Sequence, residues 1–155
     1  MNETSPRSEF PLEKINEANR QAKMVIASMG SSLIAYFLVS RFLPETAPPA
    51  NAGMIRILIF VVAATAVFAA TLFKPIYLRS VPATPEARLA RLRTSAIVTA
   101  GLAELPAILG FILVFTTGER TEFYGMLAVS AYLLARNIPQ RETWENYVRR
   151  GSDNR

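Results

Sequence analysis

Apolar residues in this chain gather into four blocks separated by polar or proline-rich stretches, at 24–43, 54–73, 94–116 and 121–138. Blocks of this length and apolarity predict membrane-spanning helices, which need about 20 residues to cross a hydrocarbon core of about 30 Å. The first carries Ser28, Ser32, Tyr36 and Ser40 at every fourth position. That ridge should face protein, because lipid offers a hydroxyl no partner. Pro44, Pro48, Pro49 and Gly53 then end the helix. The second block holds Ala63, Ala64, Ala66, Ala69 and Ala70 with one polar position, Thr65, a composition suited to close helix approach. The fourth has a short apolar centre, Phe123 to Ala135, so it must borrow flanking residues, tilt or thin the bilayer, with Arg136 snorkelling to the surface.

The third block organises the others. About 22 helical residues rise about 33 Å, so Glu104 and Pro106 fall near the bilayer midplane. An acid there costs about 2.5 to 3.5 kcal/mol on the insertion scale, which the surrounding Ile, Val, Leu and Phe residues offset. Pro106 has no N–H and leaves the Leu102 carbonyl unpaired, so a kink is expected beside the carboxyl. Ala96, Ala100, Ala103, Ala107 and Gly110 alternate steps of four and three, forming a small-residue stripe. Glu104 lies about 40° around the helix from Ala100 and so faces the bundle with them.

The expected fold is all-α, an integral membrane four-helix bundle made of two antiparallel hairpins. Residues 1–23 form a juxtamembrane segment whose Pro11 opens a short helix running into the first span, 24–138 the membrane domain, and 139–155 a tail. That tail is expected to be interfacial through Trp144 and Tyr147 and then disordered. Thr84, Pro85 and Glu86 read as a helix start, with a hydroxyl at the N-cap, proline in the first turn and an acid after it, so the third helix begins in water.

Charge sets orientation. Of the 17 basic residues, only Arg41, Arg56 and Arg120 lie at one face of the membrane, and the rest fall in the N-terminal segment, the central loop and the tail. Both termini are therefore expected in the cytoplasm. The net charge of +5 flanks apolar spans, which points to anionic lipid headgroups and not nucleic acid as its partner. Arg88, Arg91 and Arg93 are placed against headgroup phosphates. The chain has no cysteine and no histidine, which removes disulfides, thiol nucleophiles, the usual zinc sites and His-based triads. No enzyme activity, metal or cofactor is expected.

Counting inward from the span ends puts Ser32, Thr65 and Ser130 level with Glu104, which suggests one polar layer across four helices. Two meanings are open for it. A mid-membrane carboxyl is a natural proton or cation exchange site, and it also serves as a packing hydrogen bond. No second acid, lysine or histidine in the membrane continues a relay.

The run AGLAELPAILGFILVFTTG, followed by a short span and RNIPQRETWE, resembles a family of small uncharacterised bacterial membrane proteins with an alanine-x-glutamate in the third span. The resemblance covers the C-terminal half and implies four spans and an inner-membrane location, with no established activity. AELPAILGF also resembles the carboxylate-bearing helix of rotary ATPase proteolipid subunits at Glu104, Ala107, Ile108 and Gly110. The glycine-rich partner helix of those subunits has no counterpart here. These readings lead to an accessory or scaffolding subunit, in a homo-oligomer or a larger membrane complex. The alternative is a proton- or cation-coupled transporter subunit using Glu104.

Overall fold

In a computed structural model the chain is described at residues 11–44 and 48–149, and these residues are helical with no strand among them. Five helices follow in order: α1 (Leu12–Phe42), α2 (Ala52–Tyr77), α3 (Pro85–Thr117), α4 (Arg120–Arg136) and α5 (Arg141–Arg149). Three of them, α1, α2 and α3, are long and apolar enough to cross a membrane. The fourth has 17 residues, a length of about 26 Å, slightly under the hydrocarbon thickness.

The helix ends follow the local chemistry. Thr84 caps α3 by accepting a hydrogen bond from the Ala87 N–H at 3.3 Å, and Pro85 opens the helix. Gly118 closes it at φ 76°, a left-handed conformation that a side chain would oppose, and its N–H returns to the Val114 carbonyl at 2.9 Å. Residues 1–10, 45–47 and 150–155, where part of the expected juxtamembrane segment and the end of the expected tail fall, lie outside the described residues.

Of the two expected hairpins, α3 and α4 do pack on each other, but the first pair does not close. Among the described residues α1 packs on α3, and α2 packs on α3, while the backbones of α1 and α2 make no contact and their side chains meet only in the cluster around the α3 alanines. The long third helix is the centre, with α1, α2 and α4 around it. Physically this follows from where small residues sit. Ala96, Ala100, Ala103, Ala107 and Gly110 are all buried, the middle three at 0% exposure, so the α3 backbone can be approached closely from more than one side. On α2 the buried edge is Ile59, Ala63, Ala66 and Ala70, the spacing of a single helical face. The opposite side of α2 leaves Met54, Ile57, Leu58, Val61 and Phe68 exposed, an apolar surface that suits lipid.

The part of the expected interfacial tail that is described folds as α5. Residues 141–149 form an amphipathic helix that buries Trp144 and Val148 among Ile15, Ala18 and Ala22 of α1 and Leu92 and Ala96 of α3. Trp144 and Val148 fill this cleft at the basic end of the bundle, and Tyr147 packs beside them. Among the described residues the helices accordingly number five, not four.

Close approach at α3 is testable. A Cβ at Gly110 would lie 3.0 Å from Met126 Cβ and 3.2 Å from the Phe123 ring, and Met126 Cβ is fixed to its own helix. Gly110→Ala and Ala103→Leu should each destabilise the protein by about 1 to 3 kcal/mol in a detergent unfolding series. Ile112→Leu, at an exposed position on the same helix, should fall within about 0.5 kcal/mol of wild type. Equal effects at the two kinds of site would contradict this packing.

Candidate functional site: a carboxyl between α1 and α3

Glu104 accepts hydrogen bonds at one oxygen from two residues of α1. The Ser32 hydroxyl lies in hydrogen-bond contact with Oε1, and the Tyr36 hydroxyl donates to the same atom at 3.2 Å. Ser32 Oγ also sits 2.7 Å from the Met29 carbonyl of its own helix, so its single proton serves two acceptors. Ser32 and Tyr36 are consecutive members of the every-fourth ridge on α1. Ser40, one turn further, is fully buried and returns its hydroxyl to the Phe37 carbonyl at 2.7 Å. Ser28, at the other end of the ridge, is exposed. The ridge winds as it rises, and its middle turns meet α3.

The Tyr36 ring is held from the side by Phe111, with centroids 5.6 Å apart. Phe111 lies seven residues after Glu104, on the same face two turns away. This aromatic contact is what aims the phenol at the carboxyl. Tyr36 was part of the ridge read from sequence, but its contact with Glu104 was not foreseen. The four-residue offset from Ser32 is the signal that would have indicated it, since both hydroxyls then lie on one helix edge.

The other two hydroxyls expected in this layer are elsewhere. Thr65 is exposed on α2 and bonds the Val61 carbonyl one turn back at 2.8 Å. The α2 edge that meets α3 is the alanine edge, and Thr65 lies outside it, so its own backbone satisfies the hydroxyl. Ser130 is fully buried, but its Oγ accepts from the Ala107 backbone N–H at 2.9 Å. That bond falls on the residue after Pro106, where the regular helix ladder is interrupted. Ser130 of α4 thus supplies α3 with a partner at its proline. Polar groups at mid-depth therefore form two separate devices, one joining α1 to α3 at Glu104 and one joining α4 to α3 at Ala107.

The three arginines expected at headgroups do three different things. Arg88 is 3% exposed, and its guanidinium donates to the carbonyls of Pro82 at 2.7 Å, Ala83 at 3.0 Å and Val148 at 2.7 Å. It is corrected from a lipid contact to an internal tie, because the α2–α3 loop and the last turn of α5 both present carbonyls that only a forked donor can reach together. Arg91 stacks over the Tyr77 ring at 4.6 Å, a cation–π contact. Arg93 alone is plainly exposed. Tyr147 of α5 donates to the Leu78 carbonyl at 3.4 Å. Burial pushes its hydroxyl above the ordinary range, and the charges of Arg91 and Arg88 only partly oppose this, so it stays a donor at physiological pH.

At the opposite end Arg56 of α2 pairs with Glu122 and, at 3.8 Å, with Glu119, and Arg120 donates to the Leu43 carbonyl of α1 at 2.7 Å. Among the described residues no group of three or more His, Cys, Asp or Glu could hold a metal ion. Comparison with protein-family models, curated proteins and solved structures finds no match to this chain.

The Ser130 tie makes a specific prediction. Ser130→Ala removes a buried hydrogen bond between α4 and α3 and should cost about 0.5 to 1.5 kcal/mol in unfolding free energy. Thr65→Val should be within about 0.5 kcal/mol of wild type, because it removes a bond that its own helix supplied. A shared polar layer would instead make the two substitutions comparably costly.

Proposed function

We propose that this protein is an accessory or scaffolding membrane subunit, in which Glu104 is a latch between α1 and α3 and not an ion-exchange group. The three long apolar helices are consistent with a membrane protein. The observation that carries the finer reading is that Ser32 and Tyr36, both from α1, converge on a single oxygen of Glu104. An exchange site has to release its partners to bind and discharge a cation. A carboxyl gripped by two hydroxyls of one neighbouring helix serves to fix that helix in register. Interhelical bonds of this kind contribute about 0.6 kcal/mol on average in membranes, so the latch specifies geometry more than it adds stability.

The proposed setting is the bacterial inner membrane, with α4 as a fourth, short span and both termini in the cytoplasm. The basic-residue asymmetry supports this orientation. So does the position of α5, which covers the same end of the bundle as the N-terminal part of α1. The exposed apolar face of α2 is then available to lipid, to a second copy or to a larger membrane complex, with no nucleic acid and no enzyme activity involved. Reporter fusions test the orientation. Fusions at Asn51 and Gly118 should report the far side and one at Arg155 the cytoplasm, and the reverse pattern would contradict it.

The latch is tested by a carbodiimide that attacks membrane carboxyls together with Glu104→Gln. The substitution keeps shape and hydrogen bonding but cannot ionise. A latch predicts no labelling of Glu104 between pH 5 and pH 8 and full complementation by Glu104→Gln. Labelling that changes with pH, with Glu104→Gln inactive, would establish ion coupling instead.

A further inference from the structure

Alongside the Glu104 side of α3 there is a second opening, on the opposite flank. Because α2 and α4 both pack on α3 but barely touch each other, a groove of about 380 Å³ is left between them. Phe60, Ala64 and Val67 of α2, Pro106 of α3, and Gly125 and Val129 of α4 line it. Its volume is within the range of small-molecule sites. The rim is open to the bilayer side, with Phe60 at 44% and Val129 at 41% exposure. At one end stands a single charged residue, Glu122. From Glu122 to Val129 is seven residues, about 10 Å along the helix axis, which fits within the ~15 Å depth of one leaflet's hydrocarbon.

The polar end leaves one acceptor without a donor. Arg56 faces two carboxylates, Glu119 and Glu122, and the neighbouring Arg120 is directed to the Leu43 carbonyl. The Glu122 side chain is 17% exposed, and its Oε2 is buried with no hydrogen-bond partner. A buried carboxylate oxygen without a donor is costly, so a donor is called for at the head of an otherwise apolar slot. An apolar chain below and a hydrogen-bonding cation above define the occupant chemically.

We propose that this groove holds one acyl chain of a phospholipid whose headgroup carries a primary ammonium, the ammonium donating to Glu122 Oε2 and the phosphate lying toward Arg56. The chain runs down between α2 and α4 onto the Pro106 ring. Gly125 and Ala64 keep the slot open: a Cβ added at Gly125 meets nothing within 4 Å. A bulky residue there would grow into the groove without disturbing the packed core.

The test uses the full chain, delipidated in detergent, with thermal stabilisation read against added phosphatidylethanolamine, phosphatidylcholine and phosphatidylglycerol of identical chains. Phosphatidylethanolamine should act at a concentration about tenfold lower than phosphatidylcholine, whose quaternary ammonium cannot donate a charge-assisted hydrogen bond. Gly125→Leu leaves the Arg56 pairings in place and should abolish stabilisation by all three lipids while the lipid-free melting temperature is retained. Glu122→Gln should keep a response to lipid chains but lose the preference for the primary ammonium. Equal potency of the three lipids, a preference for phosphatidylglycerol, or an undiminished phosphatidylethanolamine effect in Gly125→Leu would each overturn the proposal. So would a dimer that Gly125→Leu dissociates with no change in lipid response, since a second copy would then be the occupant.

Discussion

Everything in this structure depends on how closely other helices can approach the backbone of α3. Without a hydrophobic force between helices in lipid, association rests on van der Waals contact and a few interhelical hydrogen bonds, and contact requires small side chains at the seam. Ala100, Ala103 and Ala107 remove the obstacle along the middle of α3, and Gly110 removes it completely where Phe123 and Met126 of α4 press in. A helix approached from several sides must be long and must present no bulk on those faces. α3, with 33 residues, is the longest of the five.

Close packing around a proline raises a second demand. Pro106 removes one N–H from the ladder of α3 in its buried middle, where backbone polar groups need partners within the protein. Ser130 on α4 meets the Ala107 N–H, and Glu104 two residues before the proline takes hydroxyls from α1. The stretch of α3 around Pro106 is thereby held from two sides, by α1 and by α4. Among the described residues α2 shows no such polar contact with α3 in this region; it packs through Ile59 and its alanines and leaves the groove beside Pro106 open.

Helices, their approximate limits and the importance of the alanine–glycine stripe were legible in the sequence because each rests on a local pattern. Thr84-Pro85-Glu86 and Gly118 mark the ends of α3 through chemistry that acts within one turn. Partner choice was not legible. Depth counting placed Ser32, Thr65 and Ser130 beside Glu104, but depth says nothing of azimuth, and a hydroxyl in a helix can always fall back on a carbonyl one turn earlier, as Thr65 does. Pairing α1 with α2 assumed that sequence neighbours pack together, which fails when a later helix offers a smoother surface to both. The arginines misled for a related reason: Arg88 resembles an anchoring residue in composition, while its forked donors serve carbonyls of a loop and of α5 that only the folded chain brings together. In α5 the spacing of Trp144 and Val148 carried the helical period, but nine residues are too few for that period to announce a docked helix.

Among the described residues α3 is the common partner of α1 and α2, whose backbones make no contact with each other. The chain has no native cysteine, so introduced pairs report on proximity without background. In membranes a short bifunctional thiol reagent, spanning about the space of two contacting side chains, should join Tyr36→Cys to Phe111→Cys, whose parent rings are 5.6 Å apart, and Ile59→Cys to Leu113→Cys, which share one apolar cluster. Pairs between α1 and α2, such as Leu33→Cys with Ala66→Cys, should give far less intramolecular product, because the two backbones make no contact. Efficient intramolecular cross-linking of α1 to α2, with the α3 pairs unreactive, would contradict the account.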